Sequence, residues 1–200
     1  MLGKSAGGIP GENKIGMTSY PIQQMKETEK LVLTNSQLFW HYSIILFFFI
    51  PPLMNIVDVY KYFVNNTYTG VRPLAEMATW SYLPLIPAIL FYFIQKRRLK
   101  FKTIPLKINT EIFTTAGKET AKQLDWKILA QTSNLIVAKS GFSWRSWGEL
   151  ITIIKDKDRI LFNSICDPDN RPSITSWGMN KLNLKTFEEQ VRLSMSNASA

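Results

Sequence analysis

Histidine and cysteine are nearly missing from this chain: His41 and Cys166 are the only ones. Hydrolases built on Ser-His or Cys-His pairs, and zinc centres that use imidazole, need histidines that the chain does not supply. Cys166 beside Asp167 is a poor nucleophile, because a neighbouring carboxylate disfavours the thiolate. A secreted domain of this size more often carries several paired cysteines, so a lone one fits a reduced compartment. Charge is missing as well, in two places. The 20 residues 38–57, "LFWHYSIILFFFIPPLMNIV", hold no Asp, Glu, Lys or Arg, and neither do the 18 residues 77–94, "MATWSYLPLIPAILFYFI". Transporters and proton relays usually place ionisable groups inside such segments. Two helices without them form a pore only by oligomerising.

A helix of 20 residues covers about 30 Å, the thickness of bilayer hydrocarbon. Trp40, Tyr42, Trp80, Tyr82 and Tyr92 lie near the ends of the two runs, at the depth that amphipathic rings favour. Two such runs would overfill the soluble core of a 200-residue chain, so both read as transmembrane helices. Pro51, Pro52, Pro84 and Pro87 interrupt them and predict kinks. A second reading shifts the first span toward 31–50. The stretch after Pro52, apolar at Leu53, Ile56, Val57, Tyr60 and Val64, then lies along the membrane surface.

The second run passes directly into Lys96, Arg97, Arg98, Lys100 and Lys102. Lys and Arg stay on the cytoplasmic side of a membrane, and near anionic headgroups each contributes about 1 kcal/mol. This cluster therefore predicts a stop at the cytoplasmic face. Only Lys61 and Arg72 are cationic between the runs, whereas Lys26 and Lys30 precede the first. The expected topology is a hairpin with both termini in the cytoplasm, in an inner or cytoplasmic membrane. The formal net charge is +9. Residues 96–200 hold 18 Lys and Arg against 10 Asp and Glu, and five of those cations are the cluster itself. This points to membrane lipids as partners, and not to nucleic acid.

Three segments follow from composition. Residues 1–30, rich at first in Gly, Pro, Ser and Asn, are expected to be disordered, with no continuous apolar stretch of a secretory signal. Gly3-Lys4-Ser5 lacks the leading glycine and the preceding strand of a phosphate-binding loop. Residues 31–102 form the transmembrane hairpin with its basic stop. Residues 103–195 read as a cytoplasmic α+β domain. In it, Phe113, Ala116, Thr120, Ala121 and Leu124 share one face of a helix. Two hairpins follow, the second turning at Asp156-Lys157-Asp158. "SITSWG" is a candidate fifth strand. A last helix runs from Leu184 to Met195, with Asn183 as its N-cap and Leu182 and Phe187 as a staple. The fold class is thus α+β: a two-helix transmembrane hairpin, then four or five antiparallel strands with flanking helices, packed on one side.

Two loops are candidate contacts. In "SGFSWRSWGE", Trp144 and Trp147 flank Arg145 between two glycines, an arrangement able to stack on a partner's side chain or dip into the membrane interface. The plainer alternative is that one tryptophan caps the core and the other shields a sheet edge. In "SICDPDNRPS", Asp167 and Asp169 bracket a proline, with Arg171 next. The calcium-loop pattern of further oxygen ligands, glycine and terminal Glu is missing, and Asp, Pro and Asn are what tight turns demand. No metal, cofactor or catalytic residue is expected.

"SWGELITII" and "DRILFNSICDPDNRPSITSWGMNKLNLKTFEE" resemble a module of small uncharacterised bacterial membrane proteins that set two spans before a compact cytoplasmic domain. The resemblance covers roughly residues 120–190 and brings no activity with it. More loosely, the order of elements is similar to bacterial two-span proteins with a pleckstrin-homology-like domain, from which this chain departs by its fewer strands and extra leading helix. The expectation is a membrane-anchored, non-enzymatic binding or scaffold protein. Its cytoplasmic domain meets a protein partner, as an accessory subunit of a membrane complex would. The alternative is a lipid-sensing module at the membrane surface.

Overall fold

The computed structural model describes residues 20–67, 69–141, 148–169 and 178–198. The chain opens with a short helix, α1 (Ile22–Thr28), and then enters a pair of apolar helical arms. The first arm is α2 (Asn35–Phe47) and α3 (Ile50–Tyr60), extended by a π-helical turn at Lys61–Asn65; the second is α4 (Leu74–Tyr82) and α5 (Leu85–Arg98). Then come β1 (Lys102–Ile104), α6 (Thr110–Gln123), β2 (Trp126–Gln131), β3 (Leu135–Ser140), β4 (Glu149–Asp156), β5 (Arg159–Cys166) and α7 (Met179–Ala198).

The prolines act as helix starters. Pro51 and Pro52 occupy the first turn of α3, where their missing N–H groups have no partner to lose. The chain bends there by 57° between α2 and α3. Pro84 and Pro87 similarly bracket the first turn of α5. Among the described residues one stretch, Glu76–Arg98, is long and apolar enough to cross a membrane; the bent arm 35–65 qualifies as a second only if its two parts are counted as one span. Only 6 % of the apolar window of Glu76–Arg98 is buried inside the protein, so this surface faces an apolar surrounding or a partner. The arms meet through Phe48 stacked on Phe91 at 5.4 Å and Tyr42 beside Tyr92 at 5.8 Å. They are cross-linked where His41 Nε2–H donates to Gln95 O (3.1 Å) and Gln95 Nε2 donates to His41 O (3.0 Å).

The sheet is antiparallel throughout, in the order β1-β5-β4-β3-β2. Alternation along the strands gives it two apolar faces. Ile136, Ala138, Ile151, Ile153, Ile160 and Phe162 face α6 and α7, where Phe113, Phe187 and Val191 complete the core. Leu135, Val137, Leu150, Ile154, Leu161 and Ile165 face the other way, onto Met25, Leu31 and Phe101. Helices flank both sides of the sheet, whereas the sequence suggested one.

Two expectations are corrected, and a third falls outside the described residues. Residues 22–28 are helical and docked, with Met25 only 1 % exposed. Arg159 bridges Asp156 (3.1 Å) and Glu29, Lys26 bridges Asp156 (3.2 Å), and these pairs fasten α1 to the β4–β5 turn. A strand that the sequence did not suggest, Lys102–Ile104, pairs Lys102 with Phe162; residues 170–177, which hold most of the candidate strand "SITSWG", lie outside the described residues. Finally, α7 begins at Met179, so Asn183 stands inside the helix with its side chain buried instead of capping it, and Leu182 is exposed. The expected stripe of Leu184, Phe187, Val191 and Met195 does pack on the sheet.

The chain entering and the chain leaving the helical arms are paired. Leu31 N donates to Leu99 O (2.7 Å), Phe101 N to Glu29 O (2.9 Å), and Lys30 bridges Lys100 in antiparallel register. The Asn163 side chain of β5 donates to Arg98 O (2.9 Å) and Lys100 O (3.0 Å), satisfying carbonyls at the end of α5. β1 begins two residues later, so the arms join the sheet with no flexible linker between them.

Candidate functional site

Three polar groups gather where the arms meet the sheet. The first is the acidic turn after β5. Asp167 is 2 % exposed and accepts from Lys139 Nζ on β3 (2.8 Å). Its Oδ1 also accepts from Asp169 N (3.1 Å), an Asx-type turn, and its own N–H donates to Gly148 O (3.0 Å). Asp169 is half-exposed, shares Lys139 (2.8 Å) and accepts from Gln37 Nε2 (3.2 Å). The same Gln37 forms the capping box of α2 with Thr34. Burial lowers the Lys139 pKa, but hydrogen bonds and charge from Asp167 and Asp169 outweigh it, and the net direction is upward. The turn reading of these carboxylates fits this geometry: they lock a strand end to the first helical arm.

The second group is buried under α7. Glu149, fully buried, opens β4 on the face that holds Ile151 and Ile153. Its Oε2 lies 2.9 Å from the Ser164 hydroxyl and accepts from Asn183 Nδ2. Ser164 Oγ is also 3.0 Å from Asn180 Oδ1 and accepts from Asn183 Nδ2 at 3.0 Å. One hydroxyl proton serves two acceptors there, which leaves the Ser164 oxygen tied into the network. Among the described residues no cluster of His, Cys, Asp and Glu could hold a metal ion.

The third group is a cleft of 560 Å³ between the end of α5, β1, β5 and the start of α7. Arg97, Arg98, Lys100 and Lys102 line it. Ser164 and Asn180 line it too, so the buried Glu149 network backs the cleft. Ile94, Phe101 and Phe162 add an apolar wall. None of the four cations makes an ion pair with a described residue, and no described carboxylate lines the cleft. Lys96, the fifth cation of the run, points elsewhere, its ammonium 5.6 Å from the Tyr92 ring centre.

No family model, no curated protein and no solved structure matches the chain. The functional reading therefore rests on geometry. Of the residues singled out in the sequence, Arg97, Arg98, Lys100 and Lys102 are brought together, and Asp167 and Asp169 share a lysine. Trp144, Arg145, Trp147 and Arg171 lie outside the described residues. Sequence reasoning missed Glu149, Ser164, Asn180, Lys139 and Gln37. For Glu149 and Ser164 a signal existed. Strict alternation along "ELITII" and "RILFNSI" puts them on the same face as Ile151 and Phe162, where a carboxylate and a hydroxyl must find partners.

Proposed function

We propose that this chain is an integral protein of the cytoplasmic membrane, a two-span helical hairpin with both termini in the cytoplasm. Its α+β domain acts as a non-enzymatic lipid-sensing module that binds an anionic headgroup. The observation that carries this reading is the cleft: Arg97, Arg98, Lys100 and Lys102 line one concavity at the end of Glu76–Arg98, the stretch long and apolar enough to cross a membrane, with no acidic neighbour among the described residues to neutralise them. In a hairpin of this topology those cations stand at headgroup depth, where a phosphate supplies the missing counter-charge. Asn180 and Ser164 add neutral hydrogen-bonding groups at the same place.

The test uses delipidated full-length protein in mild detergent, titrated with phosphatidylglycerol, with bound lipid counted by native mass spectrometry. Replacing both Lys100→Gln and Lys102→Gln removes two surface charges at about 1 kcal/mol each. Retention should fall roughly 30-fold and should also fall with added salt. Unchanged retention in the double variant sinks the reading. A protein partner of the domain is the alternative function, and its proposed contacts Trp144, Arg145 and Trp147 bear on it independently of the cleft.

A further inference from the structure

We infer that the cleft takes an anionic glycerophospholipid whose headgroup carries no amine, with one acyl chain of that lipid lying along α5 and ending in an apolar notch at the proline breaks. This inference rests on the reading of the cleft as a headgroup site and adds the class of lipid and the path of its chain.

The headgroup class follows from what the cleft contains. Four cations line it, and its other polar lining residues, Asn163, Ser164 and Asn180, are neutral. The carboxylate of Glu149 is fully buried behind Ser164, out of reach of a ligand. A zwitterionic headgroup would bring its own ammonium among four like charges, with no acid among the described lining residues to receive it. A phosphate ester bearing free hydroxyls, as in phosphatidylglycerol, brings only the negative charge and hydrogen-bonding groups suited to an amide and a hydroxyl.

The path of the chain follows from α5. A notch of 480 Å³ lies beside the bend of the first arm, lined by Phe47, Phe48 and Pro51 from that arm and Leu83, Pro84, Ile86 and Pro87 from the other, with no polar side chain among its lining residues. Pro87, Leu90, Ile94 and Arg97 recur at the spacing that keeps residues on one helix face. Pro87 belongs to the notch and Ile94 and Arg97 to the cleft, while Leu90 between them is exposed. At 1.5 Å per residue, the rise from Ile86 to Arg97 is about 16 Å. Half of the bilayer hydrocarbon is about 15 Å, so a chain anchored in the cleft ends at the notch.

The experiment uses full-length protein in detergent, with phosphatidylglycerol carrying a photoreactive diazirine at its acyl terminus as the probe. Phosphatidylethanolamine of the same chain length and free glycerol phosphate serve as competitors. The expected result is at least about tenfold weaker competition by phosphatidylethanolamine, negligible competition by glycerol phosphate, and adducts concentrated on residues 47–51 and 83–87. Equal competition by phosphatidylethanolamine overturns the amine-free selectivity. Competition by glycerol phosphate as strong as by unlabelled phosphatidylglycerol means a soluble phosphate ester is the ligand and overturns the chain seat. Adducts spread evenly over the exposed positions of both arms mean only annular lipid, and overturn the seat in another way. Each of these leaves the cleft itself charge-dependent. If instead the Lys100→Gln, Lys102→Gln protein retains phosphatidylglycerol unchanged, the headgroup site fails and this inference with it.

Discussion

Gly117 lies in the middle of α6, where the helix crosses closest to β3. A methyl group added there would stand 2.2 Å from Ile136 Cδ1 and 3.5 Å from Ile136 Cγ1. Carbon atoms settle at about 3.5–4 Å, so the first contact demands a shift of more than about 1 Å, and the second is ordinary. Ile136 is fully buried and cannot swing its terminal carbon into open space. Gly117→Ala therefore gains up to about 1 kcal/mol of helix propensity and loses about 1–3 kcal/mol to overpacking. The overlap is large and the site closed, so the loss wins, with a net destabilisation of about 1–2 kcal/mol. Ile136→Val alone removes the clashing carbon and should cost about 1 kcal/mol. Combined, the alanine methyl occupies the space vacated by Cδ1. The double variant should then be no worse than Ile136→Val alone, a favourable coupling of at least about 1 kcal/mol. Buried Cys166 at the end of β5 supplies the assay, since its alkylation across a urea series reports opening of the domain. Additive effects, or a neutral Gly117→Ala, would refute the close approach of α6 to β3.

Two more outcomes follow from the described contacts. At Asp156, burial alone raises the pKa, but hydrogen bonds and charge from Arg159 and Lys26 outweigh it and hold the carboxyl below its usual range. A depressed acid stabilises the folded state above its unfolded pKa and loses that contribution as pH falls through the folded one. The Asp156 part of the clamp on α1 should therefore weaken only below about pH 4, and protease cleavage near Lys30 should rise there more steeply in the wild type than in Asp156→Asn, which has lost the Asp156 pairs already at neutral pH. For topology, Cys166 is a poor reporter because it is buried whichever side it occupies. In a Cys166→Ala background, Asp158→Cys stands in an exposed turn and Val71→Cys in the exposed connection between the arms. An impermeant thiol reagent on intact cells should label the second and spare the first; the reverse pattern inverts the hairpin.

The four long strands and α6 were legible because alternation, β-branched residues and charged turns all point the same way there. Asp156-Lys157-Asp158 turns with Lys157 at φ 47°, a left-handed position that the sequence signals only through its turn-forming neighbours. α1 was not legible: seven residues, mostly polar, are held by one buried methionine and by ion pairs to residues more than a hundred positions away. Lys102–Ile104 was hidden at the end of a run of cations whose charge suggested only a membrane stop. Asn183 looked like a cap because a polar residue before an apolar stripe usually is one; its true partner, Glu149, lies across the fold. The cationic half of the cleft was readable as a contiguous run, while Ser164 and Asn180 reach it only through tertiary packing.

The pairing of Lys30 with Lys100 and of Leu31 with Leu99 makes the helical arms an insertion into the tip of a β-hairpin. A fragment starting at residue 103 would discard α1, Leu31, Phe101 and the first residue of β1, and leave Leu135, Val137, Leu150, Ile154, Leu161 and Ile165 as a bare apolar sheet face. Excision offers a cleaner route. Residues 31 and 99 already sit opposite each other, at the separation that a two-residue Asn-Gly turn closes. Replacing 32–98 by that dipeptide keeps Met25, Leu31 and Phe101 over the sheet and cuts away the exposed apolar surface of the arms. The remainder would retain Lys100, Lys102, Ser164 and Asn180 while lacking Arg97 and Arg98, which makes it half a cleft on a whole domain.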